Sequence, residues 1–385
     1  MRIVRGAVVI LLAAVACGGD KGVAPSSPYS LAVAGRTERG LTAHVGARSS
    51  TGDGSSVAAV SALAASPADA VTIAASGDVQ FTKAGVVVFT ATAPDGTSLS
   101  LSVTVATPPL IVFDGRAAGN RDIYRVALDG TSLTRLTTNA GDDARPTVAG
   151  DVVLYSSFRD GNAELYSLSL ATGVERRLTT SDESETQPSI APDAKHVLYT
   201  TNASGVSKIW IASLNLAAAT TPVSGAARLA VATFGSPSAP ESSPTWAPAS
   251  DKIAFVSAST NTGSSGLFTS AATAGATPVL VTGSGTQGVE VEPAWSPDGF
   301  RLAYAAVIGG ATEIFVRDLR TNATAQITRN TASSGQPAWL SDGRIVFTTF
   351  SGNESSLRWV DPAIPFELHA IPVAALSTEH SAAIR

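Results

Sequence analysis

An acidic residue recurs three positions before a proline in the chain beyond residue 140. The series comprises Asp143, Glu185, Glu241 and Glu290; Ser334 interrupts it, and Glu379 resumes it three positions before Ala382. Carboxylates at one repeated position could bind a cation, or a Lys or Arg of a partner, through a focused negative potential. They could instead cap backbone amides or pair with an Arg of the neighbouring repeat, because clustered like charges without partners raise each other's pKa.

Signatures of catalysis are missing from the sequence. It contains no Gly-x-Ser-x-Gly elbow, no His-Glu-x-x-His metal motif and no phosphate-binding Walker loop. Four histidines are isolated from one another: His44, His196, His369 and His380. Asp-Gly pairs such as Asp298-Gly299 are typical of turns and lack the acidic spacing of calcium loops. We therefore expect no enzymatic activity and no cofactor, apart from a cation that a ring of carboxylates could hold.

The composition favours many short strands and disfavours nucleic acid as a partner. The 385 residues include 34 Gly and 21 Pro, and only 15% of them are charged. Scattered Gly and Pro suit strands joined by turns. The net charge is −5 and no basic run occurs, whereas phosphate binding requires clustered Lys and Arg.

One four-strand pattern recurs from Leu110 onward. Its fullest copy starts with EPAWSPDG at 292–299 and continues through strands at 301–306, 313–319 and 325–329. The repeat prolines are Pro146, Pro188, Pro244, Pro293 and Pro337, with spacings of 42, 56, 49 and 44 residues. Four strands and their turns take about 40–50 residues, so each interval holds one such unit.

Two further features follow from the repeat. The longest interval contains 217–240, an Ala/Thr/Ser/Gly-rich stretch that we predict to be a loop. Trp246, Trp295 and Trp339 stand two positions after a repeat proline, and we expect them to be core residues between units.

These motifs resemble the TolB-like β-propeller repeat, a WD40-like repeat also called PD40. The shared features are Pro-x-Trp-Ser-Pro-Asp-Gly, then Asp-Ile-Tyr, then Arg-Leu-Thr. The resemblance implies an all-β fold with a six-bladed β-propeller over 110–385. Six second strands but only five proline-type strands occur, and 379–384 aligns with 185–190. The C-terminal segment is therefore predicted to supply the inner strand of the blade that begins at Leu110, which removes an exposed sheet edge.

The propeller gives the acidic series a geometry. The first strand of each blade surrounds the central channel, so equivalent positions on these strands form a ring. We predict a ring of five carboxylates near one channel mouth, made of Asp143, Glu185, Glu241, Glu290 and Glu379. Both alternatives, a site for a cation or basic partner group and a set of structural caps, remain open at this point.

Residues 29–107 are predicted to form a small β-sandwich. Residues 86–93 and 98–105 alternate apolar and polar side chains, a pattern typical of strands with one buried face. The segment 79–92 resembles the end of a bacterial Ig-like domain, which implies a spacer or an adhesion module, and we favour the spacer.

The N-terminus is predicted to be a lipoprotein signal peptide over 1–16. Arg2 and Arg5 precede an apolar run too short to span a bilayer. The run AVAC at 14–17 resembles a lipobox, which implies acylation of Cys17, the single cysteine. Residues 17–28 form a flexible tether by composition. The alternative is an ordinary secretory signal cleaved after Ala16.

These features predict a cell-envelope lipoprotein that acts as a non-catalytic, protein-binding scaffold through its propeller. The resemblance implies an envelope protein as partner. Gly18, by its likeness to known sorting signals, favours the outer membrane, facing the periplasm or the cell surface. We expect a monomer held at the membrane by the lipid on Cys17. The alternative is a propeller that binds or cleaves glycans, which would need a channel lined with His, Arg and aromatic side chains.

Overall fold

A computed structural model describes most of the chain beyond residue 28. The described residues are 29–49, 57–117, 119–203, 205–218, 222–228, 239–258, 265–282, 290–329, 332–352, 354–373 and 377–383. The chain divides into two compact units, Met1–Pro108 and Pro109–Arg385. None of the helical segments described is long and apolar enough to cross a membrane.

The first unit is a pair of antiparallel sheets around one apolar core. Its elements are β1 (Tyr29–Ala34), β2 (Thr42–Ser49), β3 (Val57–Ala58), β4 (Ser61–Ser66), a 3-10 turn (Ala68–Ala70), β5 (Val71–Ile73), β6 (Asp78–Phe81), β7 (Gly85–Thr92) and β8 (Ser98–Val105). One sheet has the order β1-β2-β6-β5, with β3 beside β2, and the other has the order β4-β7-β8. Phe81 of the first sheet meets Phe89 of the second with ring centroids 6.4 Å apart. The alternation of β7 and β8 therefore does bury one face, and the Ig-like assignment of this unit stays a prediction.

The second unit contains six four-stranded antiparallel sheets. Its strands are β9 (Leu110–Arg116), β10 (Asp122–Ala127), β11 (Thr134–Arg135), β12 (Asp143–Ala149), β13 (Val152–Ser157), β14 (Glu164–Ser169), β15 (Glu175–Arg177), β16 (Glu185–Ile190), β17 (His196–Thr201), β18 (Lys208–Leu214), β19 (Val223–Arg228), β20 (Glu241–Trp246), β21 (Lys252–Ala258), β22 (Ser265–Ala271), β23 (Val279–Thr282), β24 (Glu290–Trp295), β25 (Arg301–Ile308), β26 (Ala311–Asp318), β27 (Thr324–Gln326), β28 (Ser333–Trp339), β29 (Ile345–Ser351), β30 (Glu354–Val360), β31 (Leu368–Ala370) and β32 (Ser377–Ala383). Blade 1 is β32-β9-β10-β11, and blades 2 to 6 are the successive groups of four from β12 to β31.

The six sheets close into a ring. Each inner strand contacts the inner strand of the next blade, in the order β12, β16, β20, β24, β28, β32 and back to β12. Closure depends on β32, which pairs antiparallel with β9 from Ser377 opposite Arg116 to Ala383 opposite Ile111. The predicted all-β fold with a six-bladed propeller is confirmed.

The blades stack through shared apolar clusters. Trp246 of blade 4 packs with Leu198 and Ile209 of blade 3, and Trp339 of blade 6 packs with Ala303 and Ile314 of blade 5. All three repeat tryptophans are buried, with exposed fractions of 2–3%. The prediction that they are core residues between units is confirmed. Burying a large apolar side chain stabilises a fold by roughly 1.5–3 kcal/mol, so these three tryptophans contribute strongly to the packing of one blade on the next.

The structure corrects the prediction of a loop over 217–240. Within that interval Val223–Arg228 forms β19, the outer strand of blade 3, which pairs with β18 from Leu214 opposite Val223 to Trp210 opposite Arg228. The sequence VSGAAR lacks apolar alternation. An outermost strand, with a neighbour on one side only, obtains its conformation from ladder hydrogen bonds, so its own pattern can be weak.

Deletion of 379–385 should lower the melting temperature of the protein by roughly 10 °C or more. The truncation removes most of the β32 ladder, at about 1 kcal/mol per hydrogen bond, and exposes the edge of β9. Deletion of 384–385 alone keeps β32 (Ser377–Ala383) and serves as the control. Thermal unfolding by circular dichroism measures the difference, and equal melting temperatures for both truncations would contradict ring closure.

Candidate functional site

The inner strands share an unusual backbone feature at the residue before the repeat proline. This residue has a positive φ in five blades: 56° at Arg145, 52° at Gln187, 51° at Ser243, 55° at Glu292 and 57° at Gln336. In these five inner strands the register shifts at the same place, which marks a β-bulge. Residues before proline ordinarily prefer extended backbone, and a left-handed conformation costs about 1–3 kcal/mol. Bulges re-aim side chains, and here they turn five of them toward the channel.

These five residues line a cavity of ≈190 Å³ at the propeller axis. The following prolines and Trp246, Trp295 and Trp339 contribute to its wall. Two side chains are tied to the next blade, because Gln187 Oε1 accepts a hydrogen bond from the Ser243 N–H (2.7 Å) and Glu292 Oε2 accepts one from the Gln336 N–H (2.9 Å). The cavity wall is therefore polar, ordered and built from equivalent positions.

The acidic residues of the repeat lie elsewhere. Asp143, Glu185 and Glu241 are buried, with exposed fractions of 0%, 5% and 2%, and they are not among the residues that line the cavity. The ring that the repeat predicts around a channel mouth therefore stays a prediction for these three residues. Away from the bulge, the side chains of an inner strand point to the two faces of their own sheet, toward the neighbouring blades. The side chains of Glu290 and Glu379 lie outside the described residues, so a role for them in a ring stays a prediction.

Two of these carboxylates have basic partners. Asp143 is 3.3 Å from the Arg159 guanidinium of the same blade. Glu241 forms a buried ion pair with Lys208 of the preceding blade (3.1 Å) and also accepts a hydrogen bond from the Ile209 N–H (3.2 Å). Contacts of this kind are expected for carboxylates that cap backbone amides or form structural ion pairs, which is the second alternative given for the acidic series.

The third carboxylate faces another acid. Glu164 starts β14 of blade 2, is fully buried, and has one oxygen bound to Arg177 (2.9 Å). Burial raises the pKa of Glu185 to about 7; hydrogen bonds from Ser181 and Thr179 oppose this shift, and the negative charge of Glu164 adds to it. Within the described chain, the Oε2 atoms of both glutamates lack a hydrogen-bond donor. Burial beside a second carboxylate therefore favours the protonated form of Glu185.

A second acid lies at the matching place in blade 1. Asp122, the first residue of β10, is buried and pairs with Arg135 (2.6 Å). Burial raises the pKa of Asp122; the charge of Arg135 opposes this shift, and the charge of Asp143 adds to it. Sequence reasoning missed Glu164 and Asp122 as neighbours of the acidic series. The sequence did contain a signal for this proximity, because Asp122 and Glu164 are both the first residue of the third-strand motif of the repeat.

Metal and histidine chemistry have little support in the part of the chain described. No group of three or more His, Cys, Asp or Glu side chains there could hold a metal ion. His44 contacts Asp78 (3.0 Å) in the first unit, and in the second unit His369 stacks on Trp359 with ring centroids 3.9 Å apart. His196 lies 6.2 Å from Trp246. These histidines occupy three separate places.

The family model for the TolB beta propeller domain, PD40, matches residues 49–228 and 225–355. The chain belongs to the TolB β-propeller domain family. This assignment agrees with the repeat motifs, the six blades and the closing strand. No curated protein sequence matches the chain significantly.

Solved structures share the fold at low sequence identity. TolB from Acinetobacter baumannii has a TM-score of 0.61 at 16% identity, covering 81% of this chain and 81% of that one. A putative TolB from Agrobacterium tumefaciens has a TM-score of 0.54 at 14% identity, covering 69% and 88%. Hydrazine synthase from Kuenenia stuttgartiensis has a TM-score of 0.56 at 12% identity, covering 72% and 47%. The likeness shows a shared fold, and such folds occur in enzymes as well as in other proteins.

Substituting Glu185→Gln should flatten the pH dependence of stability. A carboxyl whose pKa is raised from 4.5 to about 7 binds a proton more readily in the folded state, so its contribution to stability falls as pH rises between those values. Gln imitates the protonated form and removes this loss. We expect the melting temperature of the variant, relative to the parent, to rise by about 3 °C or more between pH 5 and pH 8. Glu183→Gln, at an exposed position nearby, is the control; parallel curves for the parent and Glu185→Gln would disprove the raised pKa of Glu185.

Proposed function

We propose that this chain is a lipid-anchored protein of the bacterial cell envelope whose propeller binds another envelope protein at the channel cavity. In this proposal it acts as a scaffold and catalyses no reaction. Membership of the TolB propeller family supports an envelope location and a protein partner. The finer features, the lipid on Cys17 and the outer-membrane placement, derive from the sequence of residues 1–28, which precede the described part of the chain.

The observation that carries this proposal is the construction of the cavity. Five blades contribute equivalent residues to one polar depression, and bulges held in a costly backbone conformation turn those residues inward. Structural strain of this kind clusters at sites that bind ligands. Among the described lining residues there is no histidine, cysteine or paired carboxylate that could transfer a proton or attack a substrate. Such a depression is suited to receiving a side chain or short segment of a partner.

The glycan alternative is less well supported. Sugar-binding sites need exposed aromatic faces, whereas Trp246, Trp295 and Trp339 are 2–3% exposed. Two of their indole N–H groups are engaged, because Trp246 donates to the Ser189 carbonyl (2.9 Å) and Trp339 donates to the Ala294 carbonyl (3.1 Å). These indole rings pack between blades and offer little exposed surface on which a sugar could stack.

A photo-crosslinking residue at Pro192 should capture the partner in living cells. Pro192 lines the cavity and is half-buried, so a partner at the channel must pass within reach of it. The matched control carries the same residue at Val174, which is 64% exposed in a turn of blade 2. We expect a discrete protein adduct from position 192 that is absent from position 174. Identical adducts from both positions, or none from position 192, would contradict binding at the channel.

The substitution Cys17→Ser should abolish lipid attachment. In cells fed labelled palmitate, the parent chain is expected to incorporate label and to sediment with membranes, because multiple acyl chains hold a soluble domain at a bilayer. The variant should carry no label. A parent chain that is unlabelled and cleaved after Ala16 would instead support the ordinary secretory signal.

A further inference from the structure

Two opposite charges face each other across the channel. Arg145 lies on β12 of blade 2 and Glu292 lies on β24 of blade 5. In the ring of six inner strands these two strands are three places apart, so they stand on opposite sides of the axis. Both residues line the ≈190 Å³ cavity and both are half-buried.

Neither charge has an opposite charge paired with it among the residues that the structure describes. Arg145 makes no hydrogen bond or ion pair with any residue that the structure describes. Glu292 uses one carboxylate oxygen to accept the Gln336 N–H, and its other oxygen accepts no bond within the described residues. A half-buried guanidinium and a half-buried carboxylate oxygen therefore remain available to a ligand.

The fold does not require these charges at this position. Gln187, Ser243 and Gln336 occupy the equivalent place in blades 3, 4 and 6 with φ between 51° and 57°. The backbone is the same with a neutral amide or a hydroxyl as with a charge. Gln187 also caps the next blade's N–H just as Glu292 does. Arg145 and Glu292 thus add something to the cavity that the bulge does not need.

We propose that the channel cavity binds a small zwitterion, such as a free amino acid or a short peptide. Its carboxylate pairs with Arg145 and its ammonium group pairs with Glu292. A simple anion would meet the repulsion of Glu292, and a simple cation would meet that of Arg145, whereas a ligand with both charges satisfies both groups. The cavity is smaller than the roughly 300–1,000 Å³ typical of sites for drug-sized ligands, which suits a molecule of one or two residues. This inference goes beyond the binding of a protein partner.

Calorimetric titration with three matched ligands tests the proposal. Dialanine carries both charges, N-acetyl-dialanine keeps only the carboxylate, and dialanine amide keeps only the ammonium group. We expect dialanine to bind at least about tenfold more tightly than either blocked form, because each loses one charge-assisted hydrogen bond. Equal binding of the three ligands, or no binding of dialanine at millimolar concentration, overturns the proposal.

Two variants assign the charges to their residues. Arg145→Gln installs the residue found in blades 3 and 6, and Glu292→Gln keeps an oxygen that can accept the Gln336 N–H, so both should retain the parent melting temperature. Arg145→Gln should remove the preference for dialanine over the amide, and Glu292→Gln should remove its preference over the acetylated form. Unchanged preferences in both variants overturn the assignment. Because the crosslinking experiment uses Pro192 and a protein adduct, loss of zwitterion binding with an intact adduct would refute this inference alone.

Discussion

The pairing of β32 with β9 is the constraint on which the propeller depends. Strand β9 opens the second unit and would otherwise present an unpaired inner edge to the channel. Such edges are prone to non-native pairing, and a ring removes them. With β32 in place, every inner strand has a neighbour on both sides around the axis. The cavity exists because these inner strands are held in a circle.

Within that circle, the bulge before each repeat proline separates two kinds of position. Residues at the start of the inner strand face neighbouring sheets, and they form the buried contacts of Asp143, Glu185 and Glu241. Residues at the bulge face the axis and meet solvent in the cavity. Two positions on the same strand therefore have different roles. The side chain at the start of the strand packs between blades, and the side chain two residues later is available for binding.

Much of the fold could be predicted from the sequence, because the second and third strands of each blade carry apolar patterns at regular spacing. The aligned C-terminal segment also predicted the closing strand, and the repeat tryptophans predicted the apolar packing between blades.

The error at β19 arose because an outer strand needs little side-chain pattern of its own. Repeat equivalence fixes a residue's place around the axis but not the direction of its side chain, so the sequence did not predict the burial of Asp143, Glu185 and Glu241. Arg145 and Glu292 escaped notice because a residue before proline is ordinarily expected to be extended. Their departure from Gln and Ser at the same repeat position was the available signal.

The long separation between β9 and β32 has a consequence for biosynthesis. The two strands are separated by 260 residues, so β9 is made well before its inner partner exists. Until then the first sheet has three strands and one bare edge, while the later sheets can each assemble from consecutive segments. The indole bonds from Trp246 and Trp339 to the preceding blades can add sheets one at a time in chain order. Completion of the circle therefore has to wait for β32, and until then the inner edge of β9 is open to non-native pairing.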